Sequence, residues 1–186
     1  MLTSEPQWVA LYTNPRAEKR AEKNLGEKGY EVYLPLLKEL HTWSDRKKWV
    51  DVPMLKSYIF ARITKFQQVE VLSVSGVSHI VKFNGSVAII PESDIEMMRD
   101  FIAAKMDIHI RTVEQLRRGS RVRICSGGLA GKEGMLVSDS EDGNFAVEIT
   151  GISMAMVVHV EQEMLELIEE NEEQEAAPKT KKYTIR

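Results

Sequence analysis

The 186-residue chain has a single cysteine, Cys125, which excludes an internal disulfide framework and suits a reducing compartment. Its four histidines, His41, His79, His109 and His159, stand apart from any paired carboxylate or nucleophile, and no Cys/His grouping has metal-ligand spacing. Apolar runs of membrane-spanning length are missing, and Glu5 replaces a basic patch before the short run Trp8–Tyr12, so a cytoplasmic protein is expected rather than a secreted or membrane-spanning one. The glycine-rich stretch 127–134 lacks a Gly-Lys-Ser/Thr ending and a following helix, which disfavours a phosphate loop. No element assembles an active site, so a non-enzymatic protein without metal or cofactor is expected.

The net charge of −3 conceals an uneven distribution. Residues 1–105 carry 15 Lys/Arg against 13 Asp/Glu, residues 106–160 carry 6 against 7, and residues 161–186 carry 4 against 8. The acidity sits in the tail, which leaves a local nucleic-acid surface possible in the first half. A pI near 5.9 argues against strong, general DNA binding.

The fold class expected is α+β, with a mixed N-terminal sheet flanked by helices and a small all-β domain behind it. Trp8–Tyr12 is a short buried strand, and Pro15 opens an amphipathic helix with Ala17, Ala21 and Leu25 on its apolar side, ending near Gly29. Tyr30–Leu37 is strand-like with a bend at Pro35, and residues 38–56 form a protruding hairpin around Trp43-Ser-Asp-Arg-Lys-Lys-Trp49. In 57–64, Ile59, Ala61 and Ile63 alternate with Tyr58, Phe60 and Arg62, and the first set is the better core face. A short helix over 66–73, a strand over 77–83 and an Asn84-Gly85 turn follow. A longer helix comes after Pro91, with a capping box at Ser93 and Glu96 and an apolar side of Ile95, Met98, Phe101 and Ile102.

The first domain is expected to cover 1–106. Residues 107–118, charged and aperiodic, are a linker; 119–168 hold short alternating strands that favour closure into a barrel; 169–186 form a disordered charged tail.

Gly119 to Gly134 resembles the KOW motif, in which a strand enters a glycine-punctuated turn and a second leaves it. Its marked residues are Gly127, Gly128, Leu129, Gly131 and Gly134. Trp8–Tyr12, the helix with Glu18, Leu25 and Gly29, Tyr33-Leu-Pro35, Pro53–Phe60, Gly76–Phe83 and Ile90-Pro91 resemble, in order, the N-terminal (NGN) domain of NusG-type transcription factors. The long hairpin and the Gly76-Val-Ser-His79 segment look more like the specialised paralogues RfaH and UpxY, antiterminators of polysaccharide operons, than like the housekeeping factor.

The resemblance implies a non-enzymatic, monomeric elongation or antitermination factor that docks on the clamp of bacterial RNA polymerase and suppresses pausing or termination. The barrel would be SH3-like and would recruit a small-subunit ribosomal protein or a termination factor. The same resemblance implies polymerase binding through Tyr58, Phe60 and Phe83, flanked by Ile95 and Met98, on an exposed aromatic concavity. Arg16, Lys19, Arg20 and Lys23 would face non-template DNA, although a solvated helical face offset by Glu18 and Glu22 is the plainer reading. Arg46, Lys47 and Lys48, interleaved with Trp43 and Trp49, could meet nucleic acid. Alternatively, they form a solvated hairpin whose tryptophans pack back on the sheet. Against the polymerase function stands a ribosome-associated RNA-binding KOW module.

Overall fold

The computed structural model describes residues 2–42, 46–116, 118–137 and 144–168. Expectations for Trp43 and the tail 169–186 lie outside the described residues.

The first half is a four-stranded antiparallel sheet of β1 (Gln7–Thr13), β2 (Glu31–Tyr33), β5 (Tyr58–Ile63) and β6 (Val77–Ile80), in the order β2-β5-β1-β6. Its odd-numbered face carries Val9, Leu11, Ile59, Ala61 and Ile63. These pack with Ala21 and Leu25 of α1 (Glu18–Glu27) and Val71 of α2 (Gln68–Leu72), as the alternation requires. Helix α1 starts three residues later than expected because Arg16 takes a left-handed conformation, φ 60°, which a helix cannot include. Pro35 splits 30–37, so the chain leaves the sheet and forms the hairpin of β3 (Leu36–Thr42) and β4 (Lys47–Pro53).

The expected strand 77–83 breaks at Val81, whose N–H donates to the Ala10 carbonyl at 2.9 Å. Beyond it, β7 (Lys82–Phe83) and β8 (Ser86–Val87) form a small ribbon around Asn84-Gly85, with φ 49° and 79°. Helix α3 (Glu92–Ala103) has no capping box. Pro91 occupies the N-cap position, Ser93 lies inside the helix, and Glu92 and Asp94 in the first turn complement the dipole instead.

The second half is a six-stranded antiparallel sheet. Its strands are β9 (Ile108–Thr112), β10 (Arg118–Ile124), β11 (Glu133–Val137), β12 (Asn144–Ile149), β13 (Met154–His159) and β14 (Leu165–Leu167), ordered β14-β10-β11-β12-β13-β9. Strand β9 corrects the linker expected over 107–118. Ile108 and Ile110 alternate with His109 and Arg111, and the segment pairs with β13 from Ile108↔Val158 to Met154↔Thr112. Five residues of alternation are too few to stand out among the surrounding charges.

Among the described residues β14 and β9 are the sheet edges and do not pair with one another, so the expected barrel closure is not among these pairings. Instead the apolar face bearing Val122, Ile124, Phe145, Met156 and Val158 shares one continuous core with Trp8, Phe60, Ile95, Met98 and Phe101 from the first half. No described helix is long and apolar enough to cross a membrane.

Candidate functional site

The even-numbered face of the first sheet is aromatic because β1 and β5 run antiparallel in a register that pairs Ala10 with Phe60 and Tyr12 with Tyr58. Tyr12 meets Tyr58 edge-on, centroids 5.2 Å apart, and stacks on His79 at 5.0 Å. Tyr33 stacks on Phe60 at 6.3 Å. Helix α3 lies across this face. Its Arg99 guanidinium sits 5.0 Å from the Tyr33 ring centre and 5.9 Å from that of Trp8, both within cation–π range. The Trp8 indole N–H donates to Glu92 Oε2 at 2.9 Å. Burial pushes the Tyr33 hydroxyl up to about 12, against the opposing pull of Arg99.

The other side of α3 belongs to the second sheet. Asp94 Oδ2 accepts the Thr150 N–H at 2.9 Å, Asp100 pairs with Lys132 at 2.7 Å, and the Phe101 and Phe145 rings lie 6.4 Å apart. A Cβ built on Gly151 would stand 3.2 Å from Ala88 Cβ, so that turn touches the segment leading into α3.

This arrangement changes the picture of an exposed concavity. Phe60, Ile95 and Met98 are 0% exposed and belong to the shared core, where Tyr58 packs half-buried against them. Phe83 is 47% exposed on the β7–β8 ribbon and stands outside that cluster. The physical reason is that a four-stranded sheet with apolar residues on both faces needs a layer on each. The second is built from α3 and the C-terminal sheet.

Arg16, Lys19, Arg20 and Lys23 are all exposed. Lys19 Nζ donates to the Asp51 carbonyl at 2.7 Å, which ties α1 to the hairpin, and Lys23 pairs loosely with Glu27 at 3.7 Å. Arg46, Lys47 and Lys48 are exposed near the hairpin's outer end. Leu40 and Trp49 sit directly opposite one another there, 47% and 62% exposed, so Trp49 does not pack back on the sheet.

The glycines of the second half divide by role. Gly127 and Gly131 have φ of 80° and 88°, the first opening a single 3-10 turn (Gly127–Leu129) and the second lying two residues beyond it; in the turn Leu129 is buried and Gly128 has open space. A Cβ on Gly134 would lie 2.5 Å from Phe145 Cζ and 2.6 Å from the Ala146 carbonyl oxygen. These glycines therefore shape the turn after β10 and the packing of β11 on β12.

Arg99 was not singled out in the sequence, and Glu18, read there as part of a solvated helical face, is not solvated. Arg99 has no pattern that marks it, since its partners come from β1 and β2. Glu18 is buried and accepts the Ser57 N–H at 2.8 Å, fixing the residue with φ 64° that precedes Tyr58. A charged residue at the same helical spacing as Ala21 and Leu25 was the available signal. Among the described residues no group of three His, Cys, Asp or Glu side chains could hold a metal ion.

A family model described as transcription termination factor nusG matches residues 6–99, just over half of the 186-residue chain. No curated protein matches it. Among solved structures, one titled as domain interaction in Thermotoga maritima NusG is 17% identical, covers 88% of this chain and 98% of its own, and has a TM-score of 0.51, which shows a shared fold. Two conformations of the MjSpt4:Spt5 complex are 16% and 15% identical, covering 87% and 88% of this chain and 97% of their own. Their TM-scores of 0.26 and 0.27 add nothing to the fold. With the family model spanning the four-stranded sheet and most of α3, the chain belongs to the nusG family of transcription factors.

Proposed function

We propose that the protein is an elongation or antitermination factor that acts by binding RNA polymerase, with no chemical step of its own. The observation that carries this reading is the aromatic face of the N-terminal sheet, with the half-buried Tyr12, Tyr33 and Tyr58 beside α3. Aromatic side chains of this kind are the usual anchors of protein interfaces. Such a factor works by differential affinity: binding one polymerase conformation about tenfold more tightly than the other shifts a pause equilibrium by ~1.4 kcal/mol. The long hairpin with exposed Trp49, together with Gly76-Val-Ser-His79, supports an operon-specific antiterminator of polysaccharide operons over the housekeeping factor. The basic edge of α1 is the natural candidate for non-template DNA, and the C-terminal sheet for a ribosomal or termination partner.

The test uses Tyr58→Ala, because Phe60 is so fully buried that truncating it confounds binding with folding. Tyr58→Ala should keep its thermal unfolding close to wild type while its affinity for core polymerase falls at least tenfold. Wild-type chain that fails to bind polymerase but retains ribosomal RNA through residues 107–168 would support the RNA-module alternative instead.

A further inference from the structure

The hairpin of β3 and β4 leaves its outer half bare. From Lys38 to Thr42 and from Lys47 to Trp49 every residue is exposed, and Leu40 and Trp49 are the only apolar side chains among them. The two are direct partners in the ladder, so they stand side by side on one face of the ribbon. Alternation puts Lys38 and Thr42 beside Leu40 on that face, and Lys47 and Asp51 beside Trp49, each about 7 Å from it along the strand. Asp51 is the cross-strand partner of Lys38, and its carbonyl accepts from Lys19 Nζ at 2.7 Å. An ammonium from α1 therefore stands at the inner end of the Trp49 ledge, as Lys47 stands at the outer end.

We propose that this ledge binds single-stranded nucleic acid, one unpaired base stacking on Trp49 against Leu40 while Lys47 and Lys19 hold the phosphates on either side. Lys19 gives one N–H to the Asp51 carbonyl and keeps two more to donate. The site goes beyond the polymerase reading and does not rest on it, since it needs only the free chain.

Charge decides for a polyanion. Arg46, Lys47 and Lys48 follow one another at the outer end of the hairpin, and among the described residues none of them is in a salt bridge. A protein partner is the poorer fit, because specific interfaces bury about 800 Å² on each side around a core depleted of charge. Here two apolar side chains are ringed by Lys38, Lys47 and Lys48. Stacking decides for a single strand. In a duplex both faces of each base are already covered, whereas an unpaired base offers its ring to an aromatic side chain whatever its sequence. The cations are local on a chain of net charge −3, so binding is modest and falls steeply with salt.

The experiment titrates the full chain, without polymerase, into labelled oligo(dT), labelled oligo(U) and a duplex of mixed sequence at low salt. Either single strand should bind more tightly than the duplex, and the tighter of the two tells whether DNA or RNA is the better source. Trp49→Ala should weaken single-strand binding at least fivefold with an unchanged melting temperature, and Trp49→Phe, which keeps a ring, should restore most of it. Lys47→Gln should lower the slope of log affinity against log salt by about 0.7, and Lys48→Gln, on the reverse face of the ribbon, by less.

A duplex that binds as well as the single strands overturns the stacking role. Trp49→Ala protein that keeps its single-strand affinity overturns the site, and if that protein has lost affinity for polymerase instead, the ledge is a protein contact. None of these results touches the polymerase reading, which Tyr58→Ala tests on a different face.

Discussion

Replacing the glycines of the 127–134 turn by alanine, one at a time, should produce a graded series whose order the geometry dictates. Gly128 has open space around it and no positive φ, so Gly128→Ala should change stability by no more than about 0.5 kcal/mol. Gly127 and Gly131 also have open space, but their φ values of 80° and 88° place a new Cβ against its own backbone, costing about 1–2 kcal/mol. Gly134 is the reverse case. Its Cβ would meet Phe145 Cζ at 2.5 Å, Phe145 Cε2 at 2.7 Å and the Ala146 carbonyl oxygen at 2.6 Å, inside any tolerable contact. The Phe145 ring is fully buried and paired with Phe101, so it has no room to withdraw. The oxygen is backbone in the neighbouring strand, and moving it disturbs the β11–β12 ladder. Overpacking of this kind costs about 3 kcal/mol or more. Urea unfolding followed by far-UV CD measures all four proteins against wild type, with the midpoint shifting at constant slope. A Gly134→Ala protein as stable as Gly128→Ala would refute the packing described for this sheet.

Stability should fall as pH rises from 10 toward 12. Tyr33 ionises at about 12 when folded but near 10 when unfolded, so the unfolded chain holds fewer protons across that window; Tyr33→Phe should flatten the decline in a thermal-melt series. Glu18→Ala leaves the part-buried Ser57 N–H without its carboxylate and should cost about 1–3 kcal/mol by chemical denaturation, while Glu18→Gln, which keeps an acceptor, should recover most of it. If α1 meets DNA phosphates, Arg20→Ala should lower the slope of log affinity against log salt by about 1 for a forked DNA in a polymerase complex, and an unchanged slope removes Arg20 from the contact. Trp49→Ala should leave the melting temperature nearly unchanged, because its ring is largely solvated, and a large drop would place that ring in a packed layer.

Much of the first sheet was legible because its strands alternate. Val9, Leu11, Ile59, Ala61 and Ile63 declare one buried face, and Tyr58 and Phe60 declare that something different lies on the other. What alternation cannot reveal is whether the second face meets a partner or another part of the same chain, since Phe60 and Met98 suit either. The link between the halves was misread for a related reason. Ile108 and Ile110 gain their meaning from β13, some fifty residues away, and a strand that short carries little signal of its own. Position N1 of α3 was equally obscure, because Ser93 and Glu96 have capping-box spacing while Pro91 sets the actual entry. The basic residues of α1 were readable as exposed, and the Lys19 contact to Asp51 was not, because it depends on where the hairpin folds back.

Helix α3 faces two ways, and its sequence numbers say so. At about 100° per residue, Glu92 and Arg99 fall on one side, while Asp94 and Phe101 fall nearly opposite. Glu92 holds the Trp8 indole and Arg99 lies between Trp8 and Tyr33, whereas Asp94 and Phe101 hold Thr150 and Phe145. A substitution on one flank of α3 is therefore felt by the first sheet and one on the opposite flank by the second, even where the two positions are as near in the chain as Glu92 and Asp94.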